Sequence, residues 1–269
     1  MPTEAFAPAK VNLALHVTGR RDDGYHLLDS LVAFADIGDR IAVAHAPETR
    51  LTVTGPRAGG VPADARNLCW RAAELHGTHA HITLEKHLPA AAGIGGGSSD
   101  AAATLRALEA LTGRGTDFDP LVLGADLPVC LYARAARMQG IGEALTPLDL
   151  PPLPAVLVNP GVEVPTGPVF AALPSRENPP MTDMPVARDR QTFLGWLAAQ
   201  RNDLQAPAIG LQPVIAQVID ALRDADLARM SGSGATCFGL YPVQGAAERA
   251  AGRIAARHPG WWTAACTLG

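Results

Sequence analysis

Cysteine is scarce in this chain: Cys69, Cys130, Cys237 and Cys266 are the only four in 269 residues. They lie far apart, without metal-ligand or disulfide spacing, so they read as small buried hydrophobes rather than as a zinc module or a disulfide framework. The eight histidines include no H-E-x-x-H, so no metal ligand is assigned. No apolar run approaches the roughly 18 residues of a membrane span. The start, Met1-Pro2-Thr3-Glu4, lacks the basic and apolar parts of a secretory signal. The expected setting is therefore the cytoplasm, with no membrane partner. Charge is sparse too: charged residues make up 18%, the net charge is −4, and the Lys and Arg form no basic stripe. That excludes nucleic acid as the main partner. It leaves room for one anionic small molecule, which responds to local donors rather than to net charge.

Glycine, by contrast, is concentrated. The segment Pro89-Ala90-Ala91-Ala92-Gly93-Ile94-Gly95-Gly96-Gly97-Ser98-Ser99-Asp100 places four glycines within five residues, followed by two hydroxyls. A chain gives up side chains in this way where backbone turns tightly or approaches a ligand. Upstream, His81 to Lys86 alternates as a half-buried strand does; downstream, Ala101, Leu105, Leu108 and Leu111 recur at helical spacing until Gly113. Ser98 or Ser99 is the expected helix N-cap. Strand, glycine loop and helix start, in that order, aim free N–H groups and a positive dipole end at one spot, which suits phosphate. Two familiar motifs nevertheless fail. The ATP-binding P-loop needs Lys directly before its Ser or Thr, and Gly97 stands there. The dinucleotide fingerprint G-x-G-x-x-G meets Ser98 when begun at Gly93 and Asp100 when begun at Gly95.

The length and 48% hydrophobic content accommodate two modest domains. The first half is strand-rich: Ala9 to Val17, Leu31 to Phe34 and Arg40 to Ala44 read as extended, with a helix over Asn67 to Leu75. Three prolines between Leu150 and Pro154 mark the expected boundary, giving domains at 1–150 and 151–269. Beyond it come a short strand at Ala155 to Val158, a proline-rich surface loop or partly disordered segment at Pro174 to Pro185, and helices over Gln191–Gln200, Pro213–Asp224 and Gln244–His258. A second small-residue loop, Ser231 to Gly234, leads into a strand at Thr236 to Tyr241. Interleaved elements without regular βαβ spacing favour an α+β fold.

Three further constellations carry chemistry. In Pro8-Ala9-Lys10-Val11-Asn12-Leu13, strand alternation puts Lys10 and Asn12 on one face and Val11 and Leu13 on the other; the polar face is either solvated or functional. Gly19 to His26 contains the turn signal Asp22-Asp23-Gly24, so it is either a plain hairpin tip or a turn that holds Tyr25 and His26 just past it to face a ligand ring. In Gly124-Ala125-Asp126-Leu127-Pro128, Asp126 is either a cap or turn residue, or a base beside a cation such as Lys10.

Together these motifs resemble the GHMP kinase superfamily, small-molecule kinases whose glycine loop differs from the P-loop. Within it they are most similar to the branch acting on a cytidine-diphosphate alcohol. Gly140-Ile141-Gly142-Glu143, Arg201-Asn202-Asp203-Leu204 and Met230 to Ala235 agree, so the resemblance spans nearly the whole chain. It implies a ribosomal-protein-S5-like N-terminal domain, a ferredoxin-like C-terminal domain and phosphoryl transfer from ATP, with Mg2+ expected. It further implies Asp126 as catalytic base and Lys10 as its charge-stabilising partner. Pro89, Ala90, Ala91, Ala92, Gly93, Ile94, Gly95, Gly96, Gly97, Ser98 and Ser99 would bind ATP. Asn12, Tyr25, His26 and Phe170 would bind the cytidine substrate. The partners implied are the two small molecules, for a monomer or a homodimer. One departure stands out: relatives commonly have glycine near Tyr132 or Ala133, and this chain has none there.

Overall fold

The computed structural model describes residues 2–90, 92–185 and 189–269. They form two compact units interleaved along the chain, one from the described residues of 1–10, 37–90 and 95–133, the other from those of 11–36, 92–94 and 134–269. Two long strands, β1 (Thr3–Arg20) and β2 (His26–His45), contribute to both.

In the first unit β2 pairs antiparallel with β4 (Ala80–Glu85), from Arg40 opposite Glu85 to His45 opposite Ala80. β4 pairs parallel with β3 (Arg50–Thr54). The expected alternation is present along β4, where Ala80, Ile82 and Leu84 are buried. Two helices, α1 (Leu68–His76) and α2 (Gly96–Thr112), share a core with these strands. The Asn67 side chain caps α1 by accepting from the Cys69 N–H, and Gly77 closes it in the left-handed region. Helix α2 buries Ala101, Ala102, Ala103 and Ala107 besides its leucines, so its backbone can lie close to its neighbours. A short 3-10 turn (Pro120–Leu123) and α3 (Leu127–Tyr132) complete the unit.

The second unit is built on antiparallel pairs. β10 (Trp262–Leu268) pairs with β7 (Leu153–Asn159) along its whole length and meets β2 where Leu268 faces Ala35. β7 continues to β9 (Cys237–Leu240), and β9 to β8 (Leu227–Met230). β5 (Ala136–Gly140) pairs with β2 and with β6 (Ala144–Pro147). The helices are α4 (Thr166–Ala171), α5 (Arg190–Ala198), α6 (Gln205–Leu211), α7 (Val214–Ala221) and α8 (Gln244–Arg257). One core gathers Val156 and Val158 of β7, Ile215 and Val218 of α7, and Ala250 and Ile254 of α8. Helices with predominantly antiparallel strands make the α+β class expected from the sequence. Among the described residues no helix is long and apolar enough to cross a membrane, and all four cysteines are free and buried.

The structure corrects several sequence expectations. Leu31–Phe34 and Arg40–Ala44 belong to one strand, because the Ile37-Gly38-Asp39 step does not break it. A Cβ on Gly38 would lie 2.2 Å from the Ala7 carbonyl oxygen, so only glycine lets the chain continue beside β1 there. Of the two readings of Pro174 to Pro185, the surface loop holds: the segment has no regular structure and is tied down at two points. The Asn178 amide donates to the Val17 carbonyl at 3.0 Å, and the Met181 N–H donates to Asp29 at 2.8 Å. Arg137 holds the same Asp29 through two contacts of 2.7 and 2.6 Å.

The missing glycine after Asp126 has a structural counterpart. Ala133 ends α3 with φ 50° and ψ 34°, a left-handed conformation that crowds its Cβ. Replacing it with glycine is expected to stabilise the protein by about 1 kcal/mol, since the relief of strain outweighs glycine's extra chain entropy. A denaturant melt of Ala133→Gly checks this; an unchanged or lowered midpoint contradicts the assignment of strain.

Candidate active site

The segment from β4 to α2 is organised by buried charge. Lysine occurs only twice in the sequence, as Lys10 and Lys86, against twenty arginines. Both lysines are buried, at 3% exposure each. The Lys86 ammonium pairs with Asp39 and, at 2.8 Å, with Asp100 of α2. Asp39 also accepts from the N–H groups of His87 and Leu88, at 2.5 and 2.8 Å. Two carboxylates thus share one ammonium, and Asp100 Oδ1 has no hydrogen-bond partner among the described residues. Burial pushes the Asp100 carboxyl up to about 7, with Asp39 adding to the shift and Lys86 opposing it. Lys86 itself is raised: burial works against its charge, and the two carboxylates outweigh that.

The helix start follows. Gly95, not Ser98 or Ser99, occupies the N-cap, with φ 61° and no side-chain cap, and Gly96 is the first helical residue. The reason is steric. A Cβ on Gly95 would sit 3.0 Å from Lys10 Cε, and one on Gly96 would sit 3.3 Å from Lys86 Nζ. A serine at position 95 would press its Cβ on the Lys10 stem and would have to hold the left-handed φ of 61°. The first helical hydrogen bond runs from the Ser99 N–H to the Gly95 carbonyl, so the amides before Ser99 have no intrahelical acceptor. They carry the positive end of the 17-residue helix α2. The two serines separate clearly: Ser99 is fully buried and donates to the Pro8 carbonyl at 2.7 Å, whereas Ser98 is half-buried.

Lys10 and Asp126 meet, Nζ to Oδ2, at 2.8 Å. Lys10 is therefore not solvent-facing. Asp126 stands at the N-cap position of α3, but its side chain caps nothing there and turns to Lys10 instead. The carboxylate keeps 31% side-chain exposure while the ammonium keeps 4%. This pair lies against the glycine-lined helix start: a Cβ on Gly95 would be 3.8 Å from Asp126 Oδ2. Of the loop's other expected ATP residues, Pro89 is half-buried and Ala90 exposed. Ala91 lies outside the described residues.

In the second unit, Ala92 and Gly93 meet the segment from Ser231 to Thr236. The Thr236 N–H donates to the Ala92 carbonyl at 3.1 Å, and Ser231 Oγ donates to the Gly93 carbonyl at 3.1 Å. A Cβ on Gly93 would fall 2.5 Å from the Gly234 oxygen. Asn12 is fully buried here, not solvated: its N–H donates to Ser231 Oγ and its amide to Ser30 Oγ. Asn202 holds the same loop by donating to the Met230 and Gly232 carbonyls. His26 and Phe170 stack, with centroids 4.4 Å apart and planes at 24°. Burial, with Arg20 and Arg176 nearby, lowers the His26 pKa, and its buried Nε2 has no hydrogen-bond partner among the described residues. Tyr25 is 59% exposed. The exposed phenol ring of Tyr25 offers a flat face to a heterocycle.

The triad of Lys86, Asp39 and Asp100 is absent from the sequence-based assignment. Its signal is the rarity of lysine. Among the described residues no cluster of three His, Cys, Asp or Glu side chains is arranged to hold a metal.

Comparison with known proteins agrees along the chain. Residues 66–133 match the family described as GHMP kinases N terminal domain, and residues 187–260 match GHMP kinases C terminal. The 4-diphosphocytidyl-2-C-methyl-D-erythritol kinase of Dinoroseobacter shibae is 57% identical, covering 99% of this chain and 95% of that protein. The kinase of the same name from Ruegeria pomeroyi is also 57% identical, covering 98% of each. A crystal structure of 4-(cytidine 5'-diphospho)-2C-methyl-D-erythritol kinase superposes with a TM-score of 0.80 at 40% identity over 99% of both chains. Homoserine kinase from Cytophaga hutchinsonii, at 18% identity and TM-score 0.65 over 100% of this chain and 94% of that one, shares the fold.

The raised Asp100 pKa sets a direction for stability. The folded state holds this proton more tightly than the unfolded chain, so the contribution is complete at low pH and is lost as pH rises through about 7. The melting temperature is expected to fall between about pH 4 and about pH 7 and to level off above that, and Asp100→Asn is expected to flatten that fall. An identical pH slope in the variant would show that the triad is not its source.

Proposed function

The chain belongs to the GHMP kinases, and we propose that it transfers the γ-phosphoryl group of ATP to the 2-hydroxyl of 4-diphosphocytidyl-2-C-methyl-D-erythritol. The products are the 2-phosphate and ADP, a step of non-mevalonate isoprenoid biosynthesis carried out in the cytoplasm. The observation that carries the reading is the Lys10–Asp126 pair against the glycine-lined start of α2. The names of relatives 57% identical over nearly the full length support the substrate.

Phosphoryl transfer asks for positioning and charge stabilisation rather than covalent catalysis. The amides at the start of α2 are the donors for the ATP phosphates, and the glycines leave them uncovered. Asp126 accepts the proton of the attacking hydroxyl as the new O–P bond forms and the bond to the β-phosphate oxygen breaks. Lys10 fixes that carboxylate by its 2.8 Å contact and supplies positive charge where phosphoryl oxygens gather. Asn12, Tyr25, His26 and Phe170 are the proposed cytidine-side residues, with the exposed Tyr25 ring stacking on the base. The proposed domains remain 1–150 and 151–269.

A Mg2+ ion bound with ATP fits the residues present, because a hard cation takes oxygen ligands from phosphates, water and a hydroxyl. Ser98 is the hydroxyl that would hold it, since the Ser99 hydroxyl is committed to the Pro8 carbonyl. When bound, it neutralises charge on the transferring phosphates.

The deciding assay is ADP release by purified protein with ATP, Mg2+ and the cytidine-diphosphate alcohol. Turnover on homoserine or mevalonate with none on that alcohol overturns the substrate. Asp126→Asn is expected to lower kcat by roughly 1,000-fold, in the range seen for loss of a positioned base, with nucleotide affinity nearly intact. Activity within a few-fold of wild type would remove Asp126 from the role. Tyr25→Ala is expected to raise KM for the cytidine substrate by about tenfold, the scale of one lost base stack, and to leave KM for ATP alone. An unchanged substrate KM would exclude stacking.

A further inference from the structure

Lys86 ties the two ends of the glycine loop together. On one side, Asp39 receives its ammonium and also accepts from the His87 and Leu88 amides, fixing the turn where the chain leaves β4. On the other side, the same ammonium reaches Asp100, in the second turn of α2. The second anchor lies just past the free amides at the start of α2, the donors expected to meet the phosphates. All three charged side chains are at most 5% exposed. A buried ion triad is costly to assemble, and burying it for stability alone gains little over an apolar cluster of the same size. Loop ends held by a central point charge are, however, fixed relative to one another in a way an apolar contact does not impose. Glycine at position 96 is matched to this arrangement, since a Cβ there would lie 3.3 Å from Lys86 Nζ.

We propose that Lys86, with Asp39 and Asp100, is a positioning clasp that sets the distance between the β4 exit and the α2 start, and thereby pre-forms the nucleotide phosphate site. The proposal rests on the nucleotide part of the reading above and not on the cytidine substrate. Lys86 touches no phosphate in this role. It needs a compact ammonium: a guanidinium is larger and planar, and the space bounded by Gly96, Asp39 and Asp100 accommodates a point charge. An amide oxygen at position 100 can still accept from the ammonium, so asparagine preserves the clasp where alanine opens it.

ADP is the probe, measured by calorimetry without the second substrate. Asp100→Ala is expected to raise the ADP Kd by about tenfold, the loss of one charged hydrogen bond, while Asp100→Asn stays within about threefold and Lys86→Arg behaves like the alanine variant. Folded variants, verified by melting, that all bind ADP as wild type does would overturn the clasp. A second measurement needs no variant. Because the chain has two lysines, acetic anhydride labelling read by mass spectrometry resolves Lys86 directly. If the clasp must open for labelling and opening releases nucleotide, ADP at about 100 times its Kd slows Lys86 acetylation by tenfold or more. Less slowing overturns the proposal even where Asp100→Ala does not fold. Wild-type protein that binds ADP but fails on the cytidine alcohol overturns the substrate and leaves the clasp standing; wild-type protein that binds no ADP overturns both.

Discussion

A positive charge beside a helix N-terminus is repelled by it, and this site has two. Lys10 and Lys86 both approach the start of α2, where the helix dipole and the unsatisfied amides are already positive. The arrangement holds because each ammonium brings its own counter-charge: Asp126 for Lys10, Asp39 and Asp100 for Lys86. Local pairing leaves the helix end itself as the uncompensated feature, and that is what an incoming phosphate meets. The glycines follow from the same constraint. Their missing side chains make room for lysine stems as much as for a ligand, since the contacts a Cβ would suffer at Gly95 and Gly96 are with Lys10 and Lys86.

The two carboxylates at the site face different environments. Asp126 keeps partial exposure and a single ammonium partner, so it can meet a hydroxyl from solution. Asp100 is sealed, shares its ammonium and holds its proton up to about 7. One is placed to take part in chemistry and the other to shape backbone. The same division appears among the hydroxyls, with Ser98 half-buried and Ser99 sealed and tied to the Pro8 carbonyl. In the second unit, where Gly93, Gly232 and Gly234 let backbone meet backbone, Asn12, Ser30 and Ser231 form a buried polar chain that fixes the 92–94 segment. Backbone this exposed by glycine holds one conformation only because polar side chains satisfy it from behind.

Local pattern makes much of this legible. Strand β4 and helix α2 are periodic over enough residues to be read from burial faces, and the glycine run between them announces a loop that must come close to something. Strand β2 is harder, because Ile37-Gly38-Asp39 looks like a turn until β1 is beside it and the Ala7 carbonyl is seen to need the space. The helix N-cap escapes local reading for a related reason. Serine is a good cap locally, but the tertiary contacts of two lysines decide which residues can stand at that bend. Lys10 and Asn12 illustrate the limit of alternation: it puts them on a shared face without saying whether that face is wet, and both are buried. Asp126 is visible as an expensive acid among apolar neighbours, yet its partner lies 116 positions away (126 − 10), a separation no local pattern encodes.

Composition holds a clue that spacing does not. A chain that uses arginine twenty times and lysine twice has separated two chemistries that are usually mixed. Where a buried cation must satisfy several carbonyls, this protein uses the fork: Arg229 donates to the carbonyls of Leu13, Leu197 and Gln200. Burial lowers its pKa to about 10, which still leaves it charged at neutral pH. Where a cation must fit beneath glycine backbone and be held by carboxylates, it uses the ammonium. Arginine's planar head suits the first task because its donors are spread over fixed directions. Lysine suits the second because its charge is compact and its donors turn to whatever acceptors lie within reach. At Arg229 and at Lys86 the residue type therefore matches the shape of its acceptors, spread carbonyls for the guanidinium and converging carboxylates for the ammonium.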